Sequence, residues 1–199
     1  MKAKNKQNKT YRRIIKAAAD SFQSLGYART TTQVIANKAG VAEVTLFRHF
    51  GDKQKLFLAV AQQIGGGVDF EILEAKLSGN LEADLHLICE STLRFFLAQQ
   101  DAIRMLMFEA IHFPEMKAAL AQNPSSMIEL LERYFQQQID ASKIDEINPQ
   151  VIAQSFMSMV FGYAIGMHPV RELLPAEISV EEVTAEFVRI FLARLARSE

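Results

Sequence analysis

The side chains with the most chemistry to offer lie between Ala42 and Phe50. At helical intervals of about 100° per residue, Leu46 and Phe50 fall on one side, and Val44 and Arg48, flanked by Thr45 and Phe47, fall on the other. A Val and a Phe beside an Arg are odd on a solvated face. They suit a helix in the major groove of a duplex, where Val touches a thymine methyl, Thr bonds a base edge or phosphate, and Arg reaches a guanine or phosphate. The same pattern also fits Val44 and Phe47 packing on a neighbouring domain.

Charge favours the groove. Residues 1–56 carry twelve Lys or Arg against three acids, a net +9, and the rest of the chain carries ten against twenty, a net −10. Such a split points the first quarter at a polyanion. Six of those cations lie within residues 1–13, so a solvated basic tail is the bland alternative.

These residues need elements to hold them. Tyr11, Ile14, Ile15, Ala18, Phe22 and Leu25 recur at helical spacing, and Gly26 stands where a C-cap glycine belongs. Thr30 to Gln33 fits a capping box for a short helix through Ile35, Ala36 and Ala39, with Thr31 as an equally good cap. Gly40 stops it. After Val41 a helix runs to Phe50, and Asp52 caps another through Leu56, Phe57, Val60 and Ile64. Two short helices joined at a glycine make a helix-turn-helix, with Ala36 and Gly40 small at the close approach and Leu46 pinning the second helix to the first.

The stretch LGYARTTTQVIANKAGVAEVTLFRHFGDKQKLF, residues 25–57, resembles the DNA-binding segment of the TetR family of bacterial regulators. A Gly-aromatic pair, a Thr-rich helix start, Ile-Ala, a small-Gly-Val turn, Thr-Leu-aromatic ending in Phe, and Asp-Lys before Leu-Phe follow in order. The resemblance implies that Thr30, Thr31 and Lys53 clamp phosphates, and that Glu43, Val44, Thr45, Phe47, Arg48 and His49 form the recognition face. Two positions depart from that pattern: Ala42 stands for a capping Ser, and Phe47 for a Tyr.

Past Ile64 the sequence reads as helices over about 81–99, 101–113, 115–122, 125–141, 149–167 and 179–197. Gly65-Gly66-Gly67 is no phosphate loop, since no strand precedes it and no Gly-Lys-Ser/Thr follows. Asn148-Pro149 starts one helix, and Ser179 with Glu182 boxes the start of the last. Ser155, Ser158, Gly162 and Gly166 form a small stripe on the first of these, and the second presents Phe187, Ile190 and Phe191. By the resemblance they join a symmetry mate; otherwise they bury within their own domain.

Phe95, Phe96, Met105, Phe108, Met127, Tyr134, Phe156 and Met159 are ordinary core residues or the walls of an effector pocket, with Glu109 and His112 as its polar groups. No metal-ligand spacing, cofactor loop or nucleophile-base pair is present, so neither an enzyme nor a cofactor is expected. The lone Cys89 excludes an internal disulfide, and the longest apolar run, Phe156 to Met167, is short of the ~20 residues that span a bilayer. The basic start runs into Arg12, Arg13 and Lys16 and not into an apolar signal, so a cytoplasmic chain is expected.

The expected architecture is all-α with about nine helices: a helix-turn-helix domain over 1–52, then a helical effector-binding and dimerisation domain over 53–199. The expected function is a homodimeric repressor that leaves a pseudo-palindromic double-stranded DNA operator when a small hydrophobic effector binds. The helix from Lys53 to Ile64 would transmit the signal. The rivals are a DNA-binding regulator with a filled core that answers a protein partner, and an enzyme or carrier with an unused helix-turn-helix.

Overall fold

The computed structural model describes the backbone of residues 2–65, 70–111, 114–167, 170, 173 and 178–195, and the side chains of 9–64, 71–111, 125–167, 170, 173 and 178–195. The helices, in chain order, are α1 (Lys2–Leu25), α2 (Thr32–Ala39), α3 (Glu43–Phe50), α4 (Lys53–Gly65), α5 (Phe70–Glu74), α6 (Leu81–Ala98), α7 (Gln100–Glu109), α8 (Pro114–Asp140), α9 (Pro149–Phe161) and α10 (Val180–Leu195), with a π-helical turn over Gly162–Gly166. Among the described residues there is no strand. The chain forms two compact units, one of residues 1–65 with 101–120, the other of 66–100 with 121–199.

The first unit follows from its apolar spacing. Ile14, Ala18 and Phe22 of α1, Ile35 and Ala36 of α2, Leu46 of α3 and Leu56, Phe57, Val60 and Ala61 of α4 are all 0% exposed in one core. Leu46 pins α3 as expected. The expected boundary after residue 52 cuts through this core, and the unit extends past it because the apolar face of α4 completes the α1–α2 packing. Leu106 and Ala110 close the same core, so part of α7 returns to the first unit.

In the second unit, α6 buries Leu85, Ile88 and Leu93, α9 buries Ala153, Phe156 and Val160, and α10 buries Val188 and Leu195. Polar residues are enclosed with them, and Asp84 is the charged one among those described. Asp84, 2% exposed, accepts hydrogen bonds from Ser78 N–H (2.7 Å), Ser78 Oγ–H (2.9 Å), Gly79 N–H (2.7 Å) and the Tyr134 hydroxyl (2.8 Å). Burial pushes its carboxyl pKa up, but these hydrogen bonds outweigh burial and hold it below the ordinary aspartate value. Burial and the adjacent Asp84 push the Tyr134 hydroxyl up.

Most helix signals are realised. Gly40 adopts φ +64° as the α2 C-cap, and Asp52 Oδ1 accepts from Lys55 N–H (2.7 Å) at the start of α4. Asn148 caps α9, and Ser179 and Glu182 cap α10 reciprocally, with Ser179 N–H donating to Glu182 (2.9 Å) and Glu182 N–H donating to Ser179 Oγ (3.1 Å).

Other expectations are corrected. Of the two expected caps of α2 it is Thr31 that accepts from Val34 N–H (3.2 Å), while Gln33 donates to Asn37 and forms no capping box with Thr30. The two helices expected over 115–122 and 125–141 are the single α8, which runs through Pro124. An interior proline costs about 3 kcal/mol in an exposed helix, but Met127, Leu130, Leu131, Tyr134 and Phe135 are buried along the next turns and hold the axis. The last turn expected of α9 is instead a π-helical turn closed by Met167 N–H donating to Gly162 C=O (2.9 Å).

Candidate nucleic-acid interface

The outward face of α3 exposes apolar surface. Val44 is 73% exposed and Phe47 42%, with Arg48 exposed beside Val44 and Thr45 and His49 half-buried alongside. An apolar surface of this kind beside a free guanidinium is shaped for contact with a partner, not with water alone. Thr31 is exposed at the N-terminus of α2, where free backbone N–H groups and a hydroxyl can meet an anion.

Three of the expected contact residues are engaged within the chain. Thr30 is 0% exposed, and its hydroxyl reaches Gly26 C=O (2.7 Å) and Ser21 C=O (3.1 Å), so its side chain is not presented to a phosphate. Lys53 Nζ donates to Tyr27 C=O (2.9 Å) and Thr30 C=O (3.0 Å) and sits 4.3 Å from the centre of the Tyr27 ring. That ring continues into the core, with centroids 4.7 Å from Phe57 and 5.6 Å from Phe22. Glu43 accepts from the Thr32 hydroxyl, joining the first turn of α3 to that of α2. Ala42, at the α3 N-cap, makes no side-chain capping bond.

A fourth tether escaped the sequence reading. Arg13 Nη2 donates to Ala39 C=O (2.5 Å) and Gly40 C=O (3.1 Å), closing the carboxyl end of α2. A Cβ on Gly40 would lie 2.7 Å from that nitrogen. Helix carbonyls left open at a C-terminus attract cations, but nothing in the spacing of residues 13 and 40 marks the pair. Tyr11 stacks on Phe50 (4.9 Å), so α1 braces the carboxyl end of α3 as well as that of α2.

The residues expected at an effector pocket fall in both units. Met105 packs on the core of the first unit, where Phe108 is 65% exposed and Glu109 half-buried. His112 lies outside the described residues. In the second unit Phe96 meets Phe161 edge-on (5.3 Å) and Phe95 lies 5.7 Å from Phe96. Met127, Tyr134 and Phe156 are buried there, with Met159 half-buried. A groove of about 490 Å³ in this unit is lined by Glu129, Glu132, Arg133, Gln136, Gln137 and Pro149, none of them among the expected residues. Cys89 is sealed within, and burial pushes its thiol up to about 12, far from a nucleophile's range.

On the proposed dimer stripe, Ser155, Ser158 and Gly166 are exposed, Gly162 is half-buried and Ile190 is 49% exposed. Val151 and Met167, exposed at either end, extend the stripe beyond what the sequence reading named. Phe187 lies against Tyr163 (5.7 Å), and Phe191 is buried edge-on against Phe156 (4.9 Å), which places Phe191 in its own core. Among the described residues there is no helix long and apolar enough to cross a membrane and no cluster of His, Cys, Asp and Glu able to hold a metal.

Comparison with known proteins bears on the family and the fold. Residues 14–60 match the family model for bacterial regulatory proteins, tetR family, and residues 83–197 match the AefR-like transcriptional repressor C-terminal domain. The HTH-type transcriptional regulator YvkB of Bacillus subtilis is 33% identical over 183 residues, 90% of this chain and 96% of its own. The repressor NalD of the MexAB-OprM multidrug efflux pump in Pseudomonas aeruginosa superposes with a TM-score of 0.75 at 20% identity, covering 98% of this chain and 100% of NalD. FadR of Bacillus subtilis, solved with stearoyl-CoA, gives a TM-score of 0.70 at 14% identity over 92% of this chain and 98% of FadR.

Proposed function

Because the chain belongs to the TetR family of bacterial transcriptional regulators, we propose that it works as a cytoplasmic homodimeric repressor that releases a pseudo-palindromic operator when a small hydrophobic molecule binds its second unit. The observation that carries the DNA half of this reading is the exposed Val44–Phe47 surface around Arg48, on a helix tethered at both ends. Val44, Thr45, Phe47, Arg48 and His49 read the groove, and Thr31 meets the backbone. Thr30, Glu43 and Lys53 position them.

One helix-turn-helix spans only a few base pairs, so two are required, about 34 Å or a small multiple apart along the duplex. The exposed stripe of Val151, Ser155, Ser158 and Gly166 beside Ile190 supplies a face on which two copies can approach closely. The hydrophobic effector is supported by the Phe- and Met-rich second unit and by a structural neighbour that holds stearoyl-CoA. Catalysis has no place in this reading.

Footprinting on the DNA upstream of the chain's own gene tests it. A protected, two-fold-related site is expected. Arg48→Ala and Thr45→Ala each lower discrimination at one base position by about 1–3 kcal/mol. Equal affinity for all duplexes at moderate salt refutes it.

A further inference from the structure

The first unit's excess of positive charge is not evenly available, and its partners show where it is open. Lys38 pairs with Asp20 (3.4 Å) and Lys55 with Asp52 (3.3 Å). Arg13 and Lys53 are engaged by backbone carbonyls, and Arg29 donates to Leu25 C=O (2.9 Å). Among the described residues of this unit, Lys9, Arg12, Lys16 and Arg48 have neither a hydrogen bond nor an ion pair. Arg48 belongs to α3. The other three are exposed on α1 at i, i+3 and i+7, within one face, turned away from the buried Ile14, Ala18 and Phe22.

From this we propose that the Lys9–Arg12–Lys16 face of α1 is a second phosphate-binding surface, which holds the DNA backbone flanking the half-site that α3 reads. The proposal rests on the DNA-binding reading above and adds a surface outside the helix-turn-helix. Its position is fixed, not floppy, because Arg13, next to Arg12 in the chain, bonds the turn that feeds α3, and Tyr11 stacks on Phe50 at the end of α3. Any contact of this face with a duplex seated on α3 is therefore made at a constant offset. Lys9 to Lys16 spans about 10 Å of helix rise, against roughly 3.4 Å of duplex axis per phosphate of one strand, so the face is long enough to meet more than one phosphate. A face of this kind adds affinity without base readout.

The test uses the full chain and the footprinted operator beside an unrelated duplex, with dissociation constants read by fluorescence anisotropy across a salt series. The triple variant Lys9→Gln, Arg12→Gln, Lys16→Gln is expected to flatten the log K against log salt slope by about 2–3 and to weaken both duplexes by the same factor, roughly 100-fold or more at 0.1 M salt. Its unfolding temperature should match the parent's. Lys55→Gln, which removes a charge already paired with Asp52, should leave the slope nearly unchanged. An unchanged slope in the triple variant overturns the proposal, and so does a Lys55→Gln effect as large as one third of the triple's, since net charge alone would then explain it. If the parent itself shows no operator preference, the regulator reading fails first and this surface fails with it.

Discussion

Lys53 decides between two roles for one ammonium. The family resemblance makes it a phosphate clamp, whereas the geometry makes it a strut, with two charge-assisted hydrogen bonds to the carbonyls of Tyr27 and Thr30 and an aromatic ring beneath it. A hydrogen bond from a charged donor contributes about 1.5–3 kcal/mol, and a partly exposed cation–π contact about 0.5–1 kcal/mol. Half-burial and the loss of side-chain entropy favour the lower ends. Lys53→Ala should therefore destabilise the protein by about 3 kcal/mol, which for a chain near this length is a fall of roughly 6–12 °C in the melting temperature. Calorimetry or circular dichroism measures it, beside Lys53→Arg, whose larger planar fork on a different stem sets its donors in a different geometry. The same samples go through the operator salt series. A clamp would give the opposite pair of results, a slope flatter by about 0.9 and an unmoved melting temperature. That pair would refute the strut.

Three further outcomes follow from the same structure. Gly40→Ala places a side chain at φ +64° and against Arg13, and should cost about 1–2 kcal/mol by denaturant unfolding; stability equal to the parent's would mean the turn tolerates a Cβ. Asp84 binds its proton more weakly folded than unfolded, so its contribution is present above its ordinary value of 3.8 and is lost as pH falls through the lower folded value. Asp84→Asn should remove about 2–3 kcal/mol at pH 7 and flatten the acid limb of the stability profile; an identical limb in both proteins refutes the assignment. Ser158→Arg sets a charge in the middle of the exposed stripe and should weaken self-association by roughly 100-fold, about 3 kcal/mol, in sedimentation velocity, with the unfolding of each unit unchanged; an intact dimer shows that the interface lies elsewhere.

Helix ends and core faces were legible in the sequence because the physics that sets them is local. Asn148 before Pro149, Ser179 with Glu182, and Asp52 cap helices through bonds spanning two or three residues, and Ile14, Ala18 and Phe22 declare their face by spacing alone. What escaped depends on distant partners. Thr30 and Thr31 are chemically the same residue, and only the carbonyls of Ser21 and Gly26 decide that Thr30 turns inward. The helix through Pro124 escaped because burial downstream outweighs a local break. Met105 was legible as apolar, but not that it would pack on the core of the first unit.

The tethers also constrain how an effector can act. Arg13, the Thr32–Glu43 bond and Lys53 join α1, α2, α3 and the loop before α2 to one core, so distorting a single recognition helix would break several bonds at once. Moving a whole unit breaks none of them. Induction then needs only a ligand that binds more tightly to the dimer geometry in which the two α3 helices no longer match successive grooves. A coupling of about 1–3 kcal/mol, enough for a 5- to 150-fold loss of operator affinity, is within reach of such a shift. The rigidity that holds α3 within its unit is thus what makes the spacing between two such units the variable left to regulate.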